Sequence, residues 1–250
     1  MEEFQIRLAG HSIGIRSIYP AARILCRKYL TSLAPEFVVE TVPEDIEAER
    51  EKSRKEDLAE GREVILYPSE YLETLAVYRK IAEKMPEYSA FLFHGSAISV
   101  DGVAYLFTAK SGTGKSTHTR LWRRKFGDRA VMVNDDKPLI LEKDGCFFVC
   151  GTPWSGKHFM DTDIVVPLQG ICVLTRSEKN HIERLTPGDA YPKLLSQTYR
   201  PRNPEAMRKT LGMLDRLLKS VAVWKLGCNM DPEAADVSYE TMKNGGGENL

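Results

Sequence analysis

The nine residues AKSGTGKST, Ala109 to Thr117, hold the densest chemistry in the chain. They fit the pattern [AG]-x-x-x-x-G-K-[ST]. In it, glycines let successive backbone N–H groups turn toward one centre and close on a phosphate without Cβ obstruction. Those glycines are Gly112 and Gly114 here, with Ser111, Thr113 and Thr117 completing the cradle. Lys115 supplies a point charge for the β- and γ-phosphate oxygens, and the Ser116 hydroxyl is a ligand for Mg²⁺. A helix starting at Lys115 aims its N-terminus at the same anion. The first position is Ala109 rather than glycine, which removes a little backbone freedom.

Downstream, Asp135 and Asp136 end the apolar run VMVN. Phosphoryl transfer needs a carboxylate near the metal and a group that positions or deprotonates the acceptor. At a strand end the pleat relaxes, so adjacent carboxylates can serve one site. DDKP also reads as an ordinary surface turn, and the neighbouring phosphate loop decides in favour of chemistry. His94 precedes the loop in FLFHGSAISV, which is separated from VAYLFTA by Asp101-Gly102. Asp-Gly between alternating apolar residues is a two-residue hairpin signal. Val100 then faces Val103, and the pairing runs back through Gly95 against Thr108 to His94 against Ala109. A lone histidine on an apolar strand is by default a core residue; this register places it at the mouth of the cradle.

These residues need elements to position them. Residues 90 onward alternate strand-like runs and helices, with hairpins at Asp101-Gly102 and around Lys143–Gly145. The pattern argues an α/β fold with a mixed sheet. Strands are expected at VMVN, PLILE, CFFVC, GICVLTR and VAVWKL, and helices at EAMRKTLGMLDRLLKS and PEAADVSYETMK. Before them, residues 1–88 read as a small α/β region. It contains the amphipathic helix YLETLAVYRKIAEKM and the charged stretch 44–61, a solvated helix or connector. The domain with the loop spans 89–245, and 246–250 read as a frayed tail.

Composition narrows the partners. Lys+Arg number 35 and Asp+Glu 35, a balance that argues against a broad nucleic-acid footprint. No apolar run reaches the ~20 residues of a membrane span, and MEEF is acidic where a signal peptide is basic. The five cysteines, Cys26, Cys146, Cys150, Cys172 and Cys228, sit mostly in apolar runs as reduced thiols. The chain is expected to be cytoplasmic.

Taken together, the FHG strand, the DG hairpin, the SGTGKS loop and the DD pair resemble the HPr kinase/phosphorylase group. They are also similar to the nucleotide-binding part of ATP-dependent phosphoenolpyruvate carboxykinase. The resemblance covers about 90–245 and includes the GTPWSGKH loop. It implies a mixed-sheet P-loop fold and an ATP- and Mg²⁺-dependent kinase acting on a hydroxyl, a serine of a protein or peptide or a small hydroxy compound such as free serine. It implies Lys115 on the phosphates, Ser116 with Asp136 on the metal, Asp135 as base and His94 beside it. A homo-oligomer is a further implication. The glycine-rich signature that HPr kinases carry after the acidic pair is not seen, and the short N-terminal region does not look like their N-terminal domain. Acceptor-side candidates are Lys157 and His158, with Trp154 as a flat face, and Arg200 and Arg202 in QTYRPRNP. Two other readings share these residues: a nucleotide-sensing module with little turnover, and carboxykinase-like chemistry on a small carboxylic acid.

Overall fold

The computed structural model describes residues 1–59, 61–110 and 112–244; the expected frayed tail lies outside them. The chain divides into two units, Met1–Lys84 and Met85 onward. In the first, β1 (Glu2–Leu8) and β2 (His11–Ser17) form an antiparallel hairpin, and β3 (Phe37–Glu40) adds parallel to β2. The short helix α1 (Ala21–Leu25) precedes β3, and α2 (Pro43–Ala59) and α3 (Ser69–Lys84) follow it. The charged stretch is therefore a helix, tied to α3 by the Glu49–Arg79 ion pair. Glu73 on α3 is fully buried, yet its carboxylate accepts from the Ile18 and Tyr19 amides and the Thr41 hydroxyl. A buried carboxylate so satisfied is structural.

The second unit is built on one long, mixed sheet. Its strands are β4 (Ala90–Leu92), β5 (Ser96–Val100), β6 (Val103–Thr108), β7 (Ala130–Asn134), β8 (Leu139–Lys143), β9 (Cys146–Cys150), β10 (Val165–Arg176), β11 (His181–Arg184) and β12 (Val223–Cys228). Its helices are α4 (Lys115–Phe126), α5 (Pro187–Leu195), α6 (Pro204–Ser220) and α7 (Glu233–Met242). The order β4-β8-β9-β10-β6-β5-β7 carries β12 and β11 as a branch beside β10. Strand β10 changes partners midway: Val165–Pro167 pair antiparallel with β9, and after a register shift at Leu168/Gly170 it runs parallel to β6 and β12.

Period-two alternation sorts the sheet's side chains onto two faces. Ala104 and Leu106 join Ile171, Val173 and Val223 under α5 and α6. Tyr105 and Phe107 join Cys172, Leu174 and Trp224 under α4 and α7. Two expectations change. FLFHGSAISV is not one strand, because the chain leaves β4 at Phe93 and re-enters the sheet as β5 at Ser96, with different neighbours. Helix α5 and strand β11 were not anticipated. The signal for α5 was Thr186-Pro187, an N-cap whose hydroxyl accepts from the Asp189 amide.

Helix α4 is anchored from behind by an aromatic cluster. His118 lies edge-on to Phe107, and the Trp122 indole donates to His118 Nε2 and to Ser238 Oγ on α7. Burial lowers the His118 pKa to about 4, and its buried Nδ1 has no partner among the described residues. The fold thus refuses a proton that the unfolded chain accepts near 6.5. The resulting stability is complete above that value and is lost as pH falls toward 4. Urea unfolding at pH 7.5 and pH 5 should show roughly 2 kcal/mol more loss for the native chain than for His118→Gln.

Candidate functional site

The loop after β6 begins where the sequence places it. Ala109 is buried, the Thr113 amide donates to Lys110 O, and α4 starts at Lys115. Gly114, the N-cap of α4, has φ 120°, a conformation in which an L side chain is strained. A Cβ at Gly112 would meet nothing within 4 Å. Ser111 lies outside the described residues. Ser116 is exposed and Thr117 partly buried on the first turn of α4. Burial pulls the Lys115 ammonium below its ordinary pKa, while the charges of Asp136 and Asp135 act to raise it.

The hairpin has the register read from Asp101-Gly102: Val100 pairs with Val103 and Ser96 with Phe107, and both turn residues have positive φ. The ladder stops there, short of the expected pairing of His94 with Ala109. A Cβ on Gly95 would lie 3.0 Å from Phe107 O and 2.9 Å from Leu106 Cδ1, so the chain can pass this close only as glycine. His94 still stays near β6, since the Thr108 hydroxyl donates to its carbonyl at 2.9 Å. Its ring, however, turns toward the acidic pair.

That encounter is arranged by β7. Strand β5 lies between β6 and β7, and its pairing with β7 jumps from Ile98↔Met132 to Ala97↔Asn134. The bulge at Val133 brings Asp135 and Asp136 level with Ser96 and Gly95. Ser96 Oγ donates to Asp135 Oδ1 at 2.6 Å and lies 3.1 Å from Thr119 Oγ1 of α4. The Gly95 amide donates to Asp136 O at 3.0 Å. His94 Nε2 sits 3.3 Å from Asp136 Oδ1, and its Nδ1 is 2.9 Å from Gln197 Oε1. Neighbouring carboxylates thus have different surroundings: Asp135 is buried, while the Asp136 side chain keeps 28% of its exposure.

Burial would raise the Asp136 carboxyl, but the His94 hydrogen bond and the charges of Lys137, His94 and Lys115 outweigh it and hold the pKa below its ordinary value. Asn134, fully buried, holds the turn. Its Oδ1 accepts from the Asp136 and Lys137 amides at 2.8 and 2.7 Å, and its Nδ2 donates to Thr152 O at 2.8 Å. Through Thr152 it also fastens the 151–160 loop, whose Gly156 would place a Cβ 3.2 Å from Asp136 Cβ.

Of the acceptor-side residues, Lys157 and His158 are exposed on the turn after Gly156. Trp154 offers no flat face, because it is buried at 4% exposure. Arg200 and Arg202 are exposed just beyond Thr198, whose neighbours bind back to Leu92 and His94. Asn134, Ser96, Thr119 and Gln197 were missed. Asn134 alone had a signal, an amide closing an apolar strand before two acids.

Among the described residues no group of three or more His, Cys, Asp or Glu converges as a metal cage. Two carboxylates and a serine hydroxyl are a hard oxygen set, which suits Mg²⁺ when phosphate oxygens and waters complete the shell. A family model, SynChlorMet cassette protein ScmC, matches residues 68–200, more than half of the chain. The chain belongs to the ScmC family. The resemblance drawn from the motifs pointed to the HPr kinase group, and the family shown is a different one. Among solved structures, this ScmC chain is similar to the HPr(Ser) kinase/phosphatase from Coxiella burnetii, at 12% identity and a TM-score of 0.34, over 62% of this chain and 99% of that one. No curated protein matches it. Among the described residues no helix is long and apolar enough to cross a membrane.

Asn134→Ala would strand two backbone donors and a carbonyl in the interior. It should lower the unfolding free energy by about 3 kcal/mol, measured by urea titration without any ligand present.

Proposed function

We propose that the chain is an ATP- and Mg²⁺-dependent kinase that phosphorylates a hydroxyl. The observation that carries this reading is that α4, which Lys115 opens, brings Thr119 to Ser96, the donor to Asp135, with Lys115 in the field of Asp136 and Asp135. An electropositive cradle beside two unlike carboxylates is the equipment of phosphoryl transfer, where positioning and charge stabilisation do most of the work. Loop amides and Lys115 hold the phosphates, and Ser116 with Asp135 holds the metal. Bound Mg²⁺ supplies charge neutralisation on the phosphate oxygens.

The geometry favours exchanging the two aspartate roles that the family resemblance implied. Asp135 is buried and engaged by Ser96. Asp136 is the more accessible, and His94 orients it. Asp136 takes the acceptor proton as the acceptor oxygen attacks the γ-phosphorus and the bond to the ADP oxygen breaks. The lowered pKa keeps it ionised at neutral pH. His94 is a positioning residue, with Gln197 behind it.

With labelled ATP and a panel of hydroxyl acceptors, Asp136→Asn should retain ATP binding within about threefold while transfer falls roughly a thousandfold. Lys115→Ala should lose both. Transfer that survives Asp136→Asn unchanged would defeat the assignment of the base, and ATP binding indifferent to Lys115→Ala would defeat the reading itself.

A further inference from the structure

On the β10 side of the loop, away from β5 and β7, a cavity of about 360 Å³ opens where β6 and β10 end together beside the C-terminal end of α5. It is at the small end of the range for ligand pockets. Three cations line it, Lys110 from the loop, Arg176 from β10 and Lys193 from α5, and its lining holds no aspartate or glutamate. Ala109, Lys110 and Thr113 of the loop form one wall of the cavity, so it shares that wall with the cradle, while Lys115 is not in the lining.

Some cations of the chain are neutralised by carboxylates, as Arg129 is by Asp101, Arg216 by Glu142 and Lys225 by Glu183. Among the described residues, no ion pair involves Lys110, Arg176 or Lys193. Arg176 instead donates to Gly112 O at 2.8 Å, and Lys193 to Asp189 O at 3.1 Å. Carbonyls fix the side chains in place but leave the charges uncompensated. Like charges gathered in a concavity concentrate a positive potential there, and the complement is an anion.

The cavity is also wired to the acidic pair. Gln197 lines it, with Nε2 donating to Ser196 Oγ and Oε1 on His94 Nδ1, and His94 reaches Asp136 through its other nitrogen. A ligand that engages Gln197 therefore bears on the ring that orients Asp136.

We propose that this cavity binds a small carboxylate- or phosphate-bearing molecule alongside the nucleotide, with its anionic group on Arg176 and Lys193, and that Gln197 transmits its presence to His94. Of the kinase reading, this uses only nucleotide binding.

The test titrates inorganic phosphate, and separately glycerate, into the intact chain by calorimetry. Each titration is run with and without saturation of the loop by a non-hydrolysable ATP analogue. Expected is binding of at least one anion that persists with the analogue bound. Its Kd should rise about tenfold in Lys193→Gln and further in Lys193→Glu, with analogue affinity unchanged. The tighter anion identifies the class. The His94 ring resonances should shift on anion binding in the native chain and not in Gln197→Met. Anion affinity unaffected by Lys193→Glu, one-for-one displacement by the analogue, or no binding of either anion at millimolar concentration would each overturn the proposal. Failure of the analogue to bind at all would instead count against the kinase reading, and the comparison of native chain with Lys193→Glu without analogue would still decide this one.

Discussion

The site depends on the position of five residues, Ser96–Val100, between two strands that have different business. On one side β5 is registered against β6 by the Asp101-Gly102 turn, which fixes the level of the glycine-rich loop. On the other it is registered against β7 with one residue to spare, and the bulge at Val133 fixes the level of the acidic pair. Ladder hydrogen bonds are strong and directional, and a slip of one residue would turn every core side chain to the wrong face. The apolar faces under α4 and α6 therefore lock both registers at once. Loop and carboxylates inherit their alignment from that lock.

Two adjacent aspartates then come to lie in separate surroundings. Asp135 points inward to Ser96, beside the Thr119 hydroxyl of α4, and Asp136 points to the His94 ring and solvent. Neither arrangement is local. Asn134 closes the turn only because the 151–160 loop returns to receive its amide, and His94 is oriented only because residues 197–199 run alongside Leu92–His94.

Much of the second unit is legible residue by residue. Short apolar runs announced β6, β8 and β9, the 3.6-residue pattern announced α6, and Asp-Gly announced the hairpin and its register down to Ser96. What failed did so for definable reasons. Prolines and a glycine hid α5: Pro187 at its first position serves as a start rather than a break, while Pro192 lies inside the helix. FLFHG was unreadable as a strand break because Gly95 is required by how close Phe107 comes, a distance no linear pattern contains.

The sequence by itself determined the chemical inventory: a glycine-rich turn between a strand and a helix, Lys115 and Ser116 at its end, two carboxylates at a strand terminus and a histidine upstream. Local rules suffice there, since turn type, helix start and side-chain class depend on neighbours in the chain. Only the tertiary structure decided which of these meet. The partner of His94 is Asp136 rather than Ala109, Asp136 is more open than Asp135, and Gln197 and the Arg176–Lys193 cavity stand beside them. The physical reason is that strand order and bulges are settled by the packing of both sheet faces at once. That is a sum over distant residues, and no stretch of sequence carries it alone.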